Sequence, residues 1–431
     1  MNKIIVLILI SLHALFGNWP QIFGPERNAV SPETDINKEW DRSSPEVLWE
    51  TSLGSGFGGA VADSGKVYIL DRETLDLAND REGAGRKDIL RCYDLTSGEV
   101  LWAYDYGAPG KTGYDGSRAC PAVDAQNVYA VGPLGHIICV DKIRGTLKWQ
   151  KHLINDFGAQ RPYWAFSQSP LIYKDLVIIN AHGQKGLIAL KKTDGMLVWG
   201  SSVLGGGASY SSPCLTIVDG QEMLLYTSTA GRRNESGNPP TIAGIDPSDG
   251  KMLWSYSDFQ CGTAMIPHPV HIGKGRFILT GGYMAGTALI QVARKEGVWK
   301  ATTVFHNKDY GSQIHQPLFI DEYIYLISNE NARANGLVCL NLAGELQWST
   351  KGIQGMTTLG LGSIIYIDGV CILLDGNNGS LYMFEPDSSK FSPIGSIKGL
   401  LRGNQIWAPM AVSKGKLLIR DQTTLKCLSL Q

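Results

Sequence analysis

The sequence predicts an all-β protein, an eight-bladed β-propeller of four-stranded antiparallel blades, and three observations lead there. Tryptophan recurs at Trp49, Trp102, Trp149, Trp199, Trp254, Trp299 and Trp348, 45 to 55 residues apart. A period near 50 marks an array or ring of equivalent units. The residues before these tryptophans also repeat, as small-x-Asp-x-x-x-Gly-x-x-x-Trp, at 92–98, 139–145, 189–195 and 244–250, and one residue shorter at 339–344. Finally, 51 of 431 residues are glycine, against about 7% in an average protein. With eleven tryptophans and only 18% charged residues, that composition points to short strands joined by tight turns.

The N-terminus comes first. Lys3 precedes an apolar run from Ile4 to Phe16, too short for the roughly 20 residues a bilayer span needs. With the small Gly17 it reads as a secretory signal peptide over 1–17, leaving one domain over 18–431. No cysteine ends the run to carry a lipid, and no later stretch is long and apolar enough to span a membrane. The expected location is secreted or periplasmic.

Within each unit the small residue ends one strand, Asp and Gly form the turn, and the tryptophan on the next strand docks against the adjacent unit. A second marker, Pro121, Pro170, Pro213, Pro269, Pro317 and Pro409, sits where strands begin and no ladder donor is needed. Units start near Gly59, Pro121, Pro170, Pro213, Pro269, Pro317, Ser363 and Pro409. The last runs out before its fourth strand, and the strand around Trp49 has no unit before it. The two halves complete each other, so the N-terminal strand is expected to close the ring by finishing the C-terminal blade.

Charge is balanced, 39 basic against 40 acidic residues for a net −1, which argues against a nucleic-acid partner, since phosphate binding needs a basic excess. Cys92, Cys139, Cys339 and Cys427 share one repeat position, held by Ala189 and Gly244 elsewhere. They read as small buried fillers rather than disulfides. No metal is expected. His268 and His271 fall on opposite faces of a strand, and the Asp375–Ser380 stretch reads as a hairpin turn rather than a calcium loop.

With these motifs, the segments Asn18-Trp19-Pro20-Gln21 and Gly24-Pro25 make the chain resemble the PQQ-like (quinoprotein-type) eight-bladed propellers over nearly its whole length. The resemblance implies the fold. For function it implies a choice among quinone-dependent dehydrogenases, outer-membrane assembly lipoproteins and other secreted propellers. The dehydrogenases carry an adjacent Cys-Cys pair over the cofactor and the lipoproteins a lipid-bearing cysteine. This sequence has neither, so no cofactor is expected, PQQ with calcium included.

The segments leading into the innermost strands line the channel in propellers of this type. They supply Tyr114 and Arg118; Arg161, Tyr163, Trp164 and Gln168; Tyr210 and Ser211; Met265 and His268; Tyr310, Gln313, His315 and Gln316; and Arg402, Asn404 and Trp407. The glycine-rich stretches 54–59 and 355–362 leave one side open. Aromatic faces beside Arg, His and Gln suit stacking on sugars and binding hydroxyls or carboxylates. The leading expectation is a monomeric ligand- or protein-binding scaffold, with a carbohydrate or protein partner held by Arg118, Arg161, Trp164, Tyr210, His268, His315, Gln316 and Trp407. The alternative is a polysaccharide lyase or hydrolase. There His268 or His315 acts as general base, Tyr210 or Tyr310 as proton donor, and Arg118 or Arg161 neutralises a uronate. A PQQ-dependent dehydrogenase ranks last. Long loops at 71–87 and 231–240 are further candidates for function.

Overall fold

A computed structural model describes residues 17–40, 44–73, 85–230, 239–330 and 333–431. The leader expected over 1–17 falls outside these residues except for Gly17, as do the middles of the two long loops. The described residues form eight small antiparallel sheets in a ring. Blade 1 is Val61–Asp63, Lys66–Arg72, Lys87–Asp94 and Val100–Gly107. The innermost strands of the following blades begin at Ala122, Leu171, Cys214, Val270, Leu318, Ser363 and Ala411, each within two residues of an expected unit start. One helical turn, Leu153–Phe157, is the only helix among the described residues.

The ring closes as the split repeat requires. Val47–Ser52 is the outer strand of blade 8, antiparallel to Thr424–Ser429, with Trp49 opposite Cys427. The same pairing recurs as Cys92 with Trp102, Cys139 with Trp149, Ala189 with Trp199, Gly244 with Trp254 and Cys339 with Trp348. All eight cysteines are buried free thiols.

Each docking tryptophan reaches the turn of the next blade. Its indole N–H donates to a backbone carbonyl there: Trp49 to Leu95 at 3.0 Å, Trp102 to Lys142 at 3.2 Å, Trp149 to Lys192 at 2.8 Å, Trp199 to Pro247 at 3.2 Å and Trp348 to Asp387 at 2.7 Å. For the first four the ring lies on the turn glycine, Gly98, Gly145, Gly195 and Gly250 in turn. Gly145 has φ +68°, and a Cβ there would sit 2.5 Å from Trp102. Gly145→Ala therefore combines left-handed backbone strain with a clash, and is expected to cost about 2–4 kcal/mol in urea unfolding.

One position in the repeat differs from expectation. The docking aromatic of blade 5 is Phe305, which pairs with Leu289 and covers Gly344, while Trp299 pairs with Arg294 farther out. The cause is a longer hairpin, Gly286–Lys295 with Val298–Asn307. It turns through Glu296 and Gly297 at φ 51° and 83°, a tight two-residue turn in place of the Asp-x-x-x-Gly turn. Trp254, which would have docked on that missing turn, donates to Met223 Sδ at 3.2 Å instead. Blade 7 has Gly395 opposite Met383. Its neighbour is blade 8, whose third and fourth strands, Thr424–Ser429 and Val47–Ser52, are not joined by a turn.

The N-terminal segment has a role that the repeat does not announce. From Gly17 to Asn37 it touches every blade. Trp19 exchanges backbone bonds with Ala62, and Val123 N–H donates to Pro20 O. Arg27 donates to Pro170 O and Pro213 O, and its own carbonyl accepts from His268 and Gln316. Tyr366 N–H donates to Ala29 O, and Val30–Ser31 adds a parallel strand to blade 7. Glu33 accepts from Lys414 and Gly415 N–H of blade 8, and Asn37 N–H donates to Leu430 O.

Candidate functional site

The segment Ile22–Arg27 sits inside the ring, and the space beside it is a cavity of about 200 Å³. Ile22 and Phe23 form the floor with His268 and His315. Phe23 lies 5.6 Å from the His268 ring and 5.9 Å from that of His315. Two aromatic walls rise from it. Phe57, Tyr114 and Trp407 make one, with Phe57 stacked on Trp407 at 5.5 Å. Trp164, Tyr210 and Tyr283 make the other, with Trp164 parallel to Tyr283 within 14° at 6.4 Å.

Polar groups are few and placed. Arg118 lies over Phe57 at 5.5 Å. It donates to Gly116 O at 2.8 Å and to Tyr114 O. Three of its five N–H groups remain without an acceptor among the described residues. Gln313 Nε2 donates to Tyr283 Oη at 3.3 Å, leaving buried Oε1 with no partner among the described residues. His315 Nε2 donates to Trp407 O at 2.9 Å, so its buried Nδ1 is a lone-pair acceptor, also unpartnered. No carboxylate among the described residues lines this cavity.

Both floor histidines are neutral. Burial, reinforced by the Arg27 cation, pushes His268 down to about 3, and burial pushes His315 down to about 4. In the unfolded chain each returns to about 6.5. Their contribution to stability is therefore complete above pH 6.5 and is lost as pH falls toward the folded values. Between pH 7 and pH 5 each imidazole should remove about 2 kcal/mol. His268→Gln, which keeps a donor for Arg27 O, should flatten the dependence of the urea midpoint on pH over this range.

The sequence-derived candidates divide. Arg118, Trp164, Tyr210, His268, His315 and Trp407 all line the cavity. Gln316 lies beneath it, donating to Arg27 O at 2.7 Å. Arg161 is exposed at the rim, within 3.4 Å of Lys111 O, and Tyr310 packs against the blade 5 and 6 core. Each of the two histidines commits its Nε2 to a backbone carbonyl, His268 to Arg27 O and His315 to Trp407 O. The side expected to be open is partly filled, because Phe57 projects from the 54–59 stretch and Leu361 from 355–362. Phe57 and Tyr283 were hidden among glycines, and Tyr283 occupies a left-handed turn position at φ 56°. The floor residues Ile22 and Phe23 lie in sequence far from every blade they serve.

Comparison with known proteins agrees with this architecture. Residues 86–350 match the PQQ_2 family, described as outer membrane protein assembly factor BamB. Among solved structures, BamB from Moraxella catarrhalis is similar with a TM-score of 0.60 at 12% identity, over 90% of this chain and 98% of that one. A europium-containing methanol dehydrogenase gives 0.67 at 13%, over 98% of this chain and 100% of that one. The quinohemoprotein alcohol dehydrogenase from Comamonas testosteroni gives 0.65 at 12%, over 97% and 81%. At these identities the likeness speaks for the fold alone. No curated protein matches the sequence significantly. With more than half its length matched and the complete eight-bladed ring in place, the chain belongs to the PQQ-like β-propeller family.

Proposed function

We propose that this propeller is a non-catalytic binding protein of the extracytoplasmic space whose axial cup receives a saccharide unit. One observation carries the reading: two aromatic walls enclose two buried acceptors, Gln313 Oε1 and His315 Nδ1, that have no partner among the described residues. A buried acceptor without a donor costs about 1–3 kcal/mol, so the cup favours a ligand that brings O–H groups while laying flat C–H faces on the rings. The apolar run after Lys3 supports export. No helix among the described residues is long and apolar enough to cross a membrane.

The residues do not fit a quinone held with calcium. Calcium takes six to eight oxygen ligands, carboxylates foremost. Among the described residues the cup has none, and no group of three His, Cys, Asp or Glu side chains converges. Thermal-shift measurements on the full chain test the reading. A saccharide at 100 times its Kd should add about 2.7 kcal/mol and raise the melting temperature, while PQQ with Ca²⁺ should leave it unchanged. A rise with PQQ and Ca²⁺ alone would overturn the proposal.

A further inference from the structure

At about 200 Å³ the cup is smaller than the roughly 300–1,000 Å³ of ordinary ligand sites, so it holds one unit of something longer. A second cavity of about 450 Å³ lies beside it, with Ser55, Arg86, Lys111, Asp115, Gln405 and Gln422 in its walls. The two share their partition. Ser55 and Phe57, Asp115 and Tyr114, and Gln405 and Trp407 are one or two residues apart, and in each pair the aromatic side chain lines the cup and the polar one the second cavity.

The charge around this partition is unbalanced. Arg86 is ion-paired with Asp115, which Arg72 also approaches at 3.8 Å, and Arg72 bonds Asp88 at 2.6 Å. Asp115 keeps a buried Oδ2 with no partner among the described residues. Lys111 has no acidic partner among them either, Arg118 has three unspent N–H groups, and exposed Arg161 lies against the Lys111 carbonyl. Among the described residues lining the second cavity, two cations, Arg86 and Lys111, meet one carboxylate, Asp115.

We infer that the ligand is an acidic saccharide that crosses the partition, one ring in the aromatic cup and an anionic neighbour in the second cavity against Lys111. The inference rests on the saccharide reading of the cup and adds its charge and a second subsite. Carboxylate and sulfate groups share the required chemistry. Lys111 supplies a charge-assisted hydrogen bond, and Asp115 Oδ2 accepts from a ligand hydroxyl.

Isothermal titration of the full chain at low salt tests it with three trisaccharides: an oligogalacturonate, a sulfated oligosaccharide and a neutral analogue. At least one acidic ligand should bind about tenfold more tightly than the neutral one, and which of the two does so identifies the anionic group. Lys111→Met should abolish this advantage. Equal binding of acidic and neutral ligands, or a preference that survives Lys111→Met, overturns the inference and leaves the saccharide cup standing. Binding of none of the three overturns both.

Discussion

Arg27→Met should destabilise the fold by about 3–5 kcal/mol in urea unfolding, more than any other single side-chain replacement considered in this protein. Arg27 is almost wholly buried, and its guanidinium donates to Pro213 O at 2.7 Å, Pro170 O at 2.5 Å and Gln21 Oε1 at 2.9 Å. Burial lowers it to about 10, still a cation at neutral pH. Replacing a buried ion by an apolar side chain is often harmless when its partners can be replaced too. Here two partners are backbone carbonyls of blades 3 and 4, which no companion mutation removes. Arg27→Lys should recover only part of the loss, because a point charge cannot fork between two carbonyls as a guanidinium does. A loss below about 1 kcal/mol for Arg27→Met would show that the segment is held by its backbone bonds alone.

Deleting residues 1–52 is expected to have a still larger effect, the loss of a soluble folded chain. It removes the outer strand of blade 8, the Trp49 contact to blade 1 and the segment that touches all eight blades. The edge Thr424–Ser429 would then be open to pairing with other copies. Deleting only 1–43 keeps Val47–Ser52 and should give a closed but weakened ring with an emptied channel. Circular dichroism and size-exclusion chromatography separate the cases. A compact monomer melting within a few degrees of the full chain after the longer deletion would contradict the closure.

The fold was legible because its information is local and repeated. A turn glycine and a docking aromatic, repeated in most blades, set the period, and a missing fourth strand at one end matched an extra strand at the other. The exceptions were legible only in part. Trp299 has the right spacing but sits on a lengthened hairpin, and Phe305 takes its place because the register, not the residue type, decides which side chain meets Gly344. The site was harder to read. Eight of the residues expected to line the channel, Tyr114 and Gln313 among them, line the cup because the innermost-strand approaches converge at the axis of any propeller. Its floor comes from Ile22 and Phe23, and the bond from Arg27 O to Gln316 spans 289 residues. No periodicity encodes a contact of that kind. It follows from the N-terminal segment finding unsatisfied donors and carbonyls inside a closed ring.

Titration calorimetry of the full chain against Trp164→Ala shows whether a saccharide sits in the cup. Trp164 forms one wall, parallel to Tyr283, and its side chain is half-buried, so its removal should leave the ring folded. Stacking on an aromatic face contributes about 0.5–1.5 kcal/mol beyond burial. The wild-type chain should therefore bind an oligosaccharide with one-to-one stoichiometry, and Trp164→Ala should weaken it by about tenfold with the melting temperature of the free protein nearly unchanged. Equal affinity in the two proteins, or no heat with any saccharide, would contradict a ligand seated between the aromatic walls.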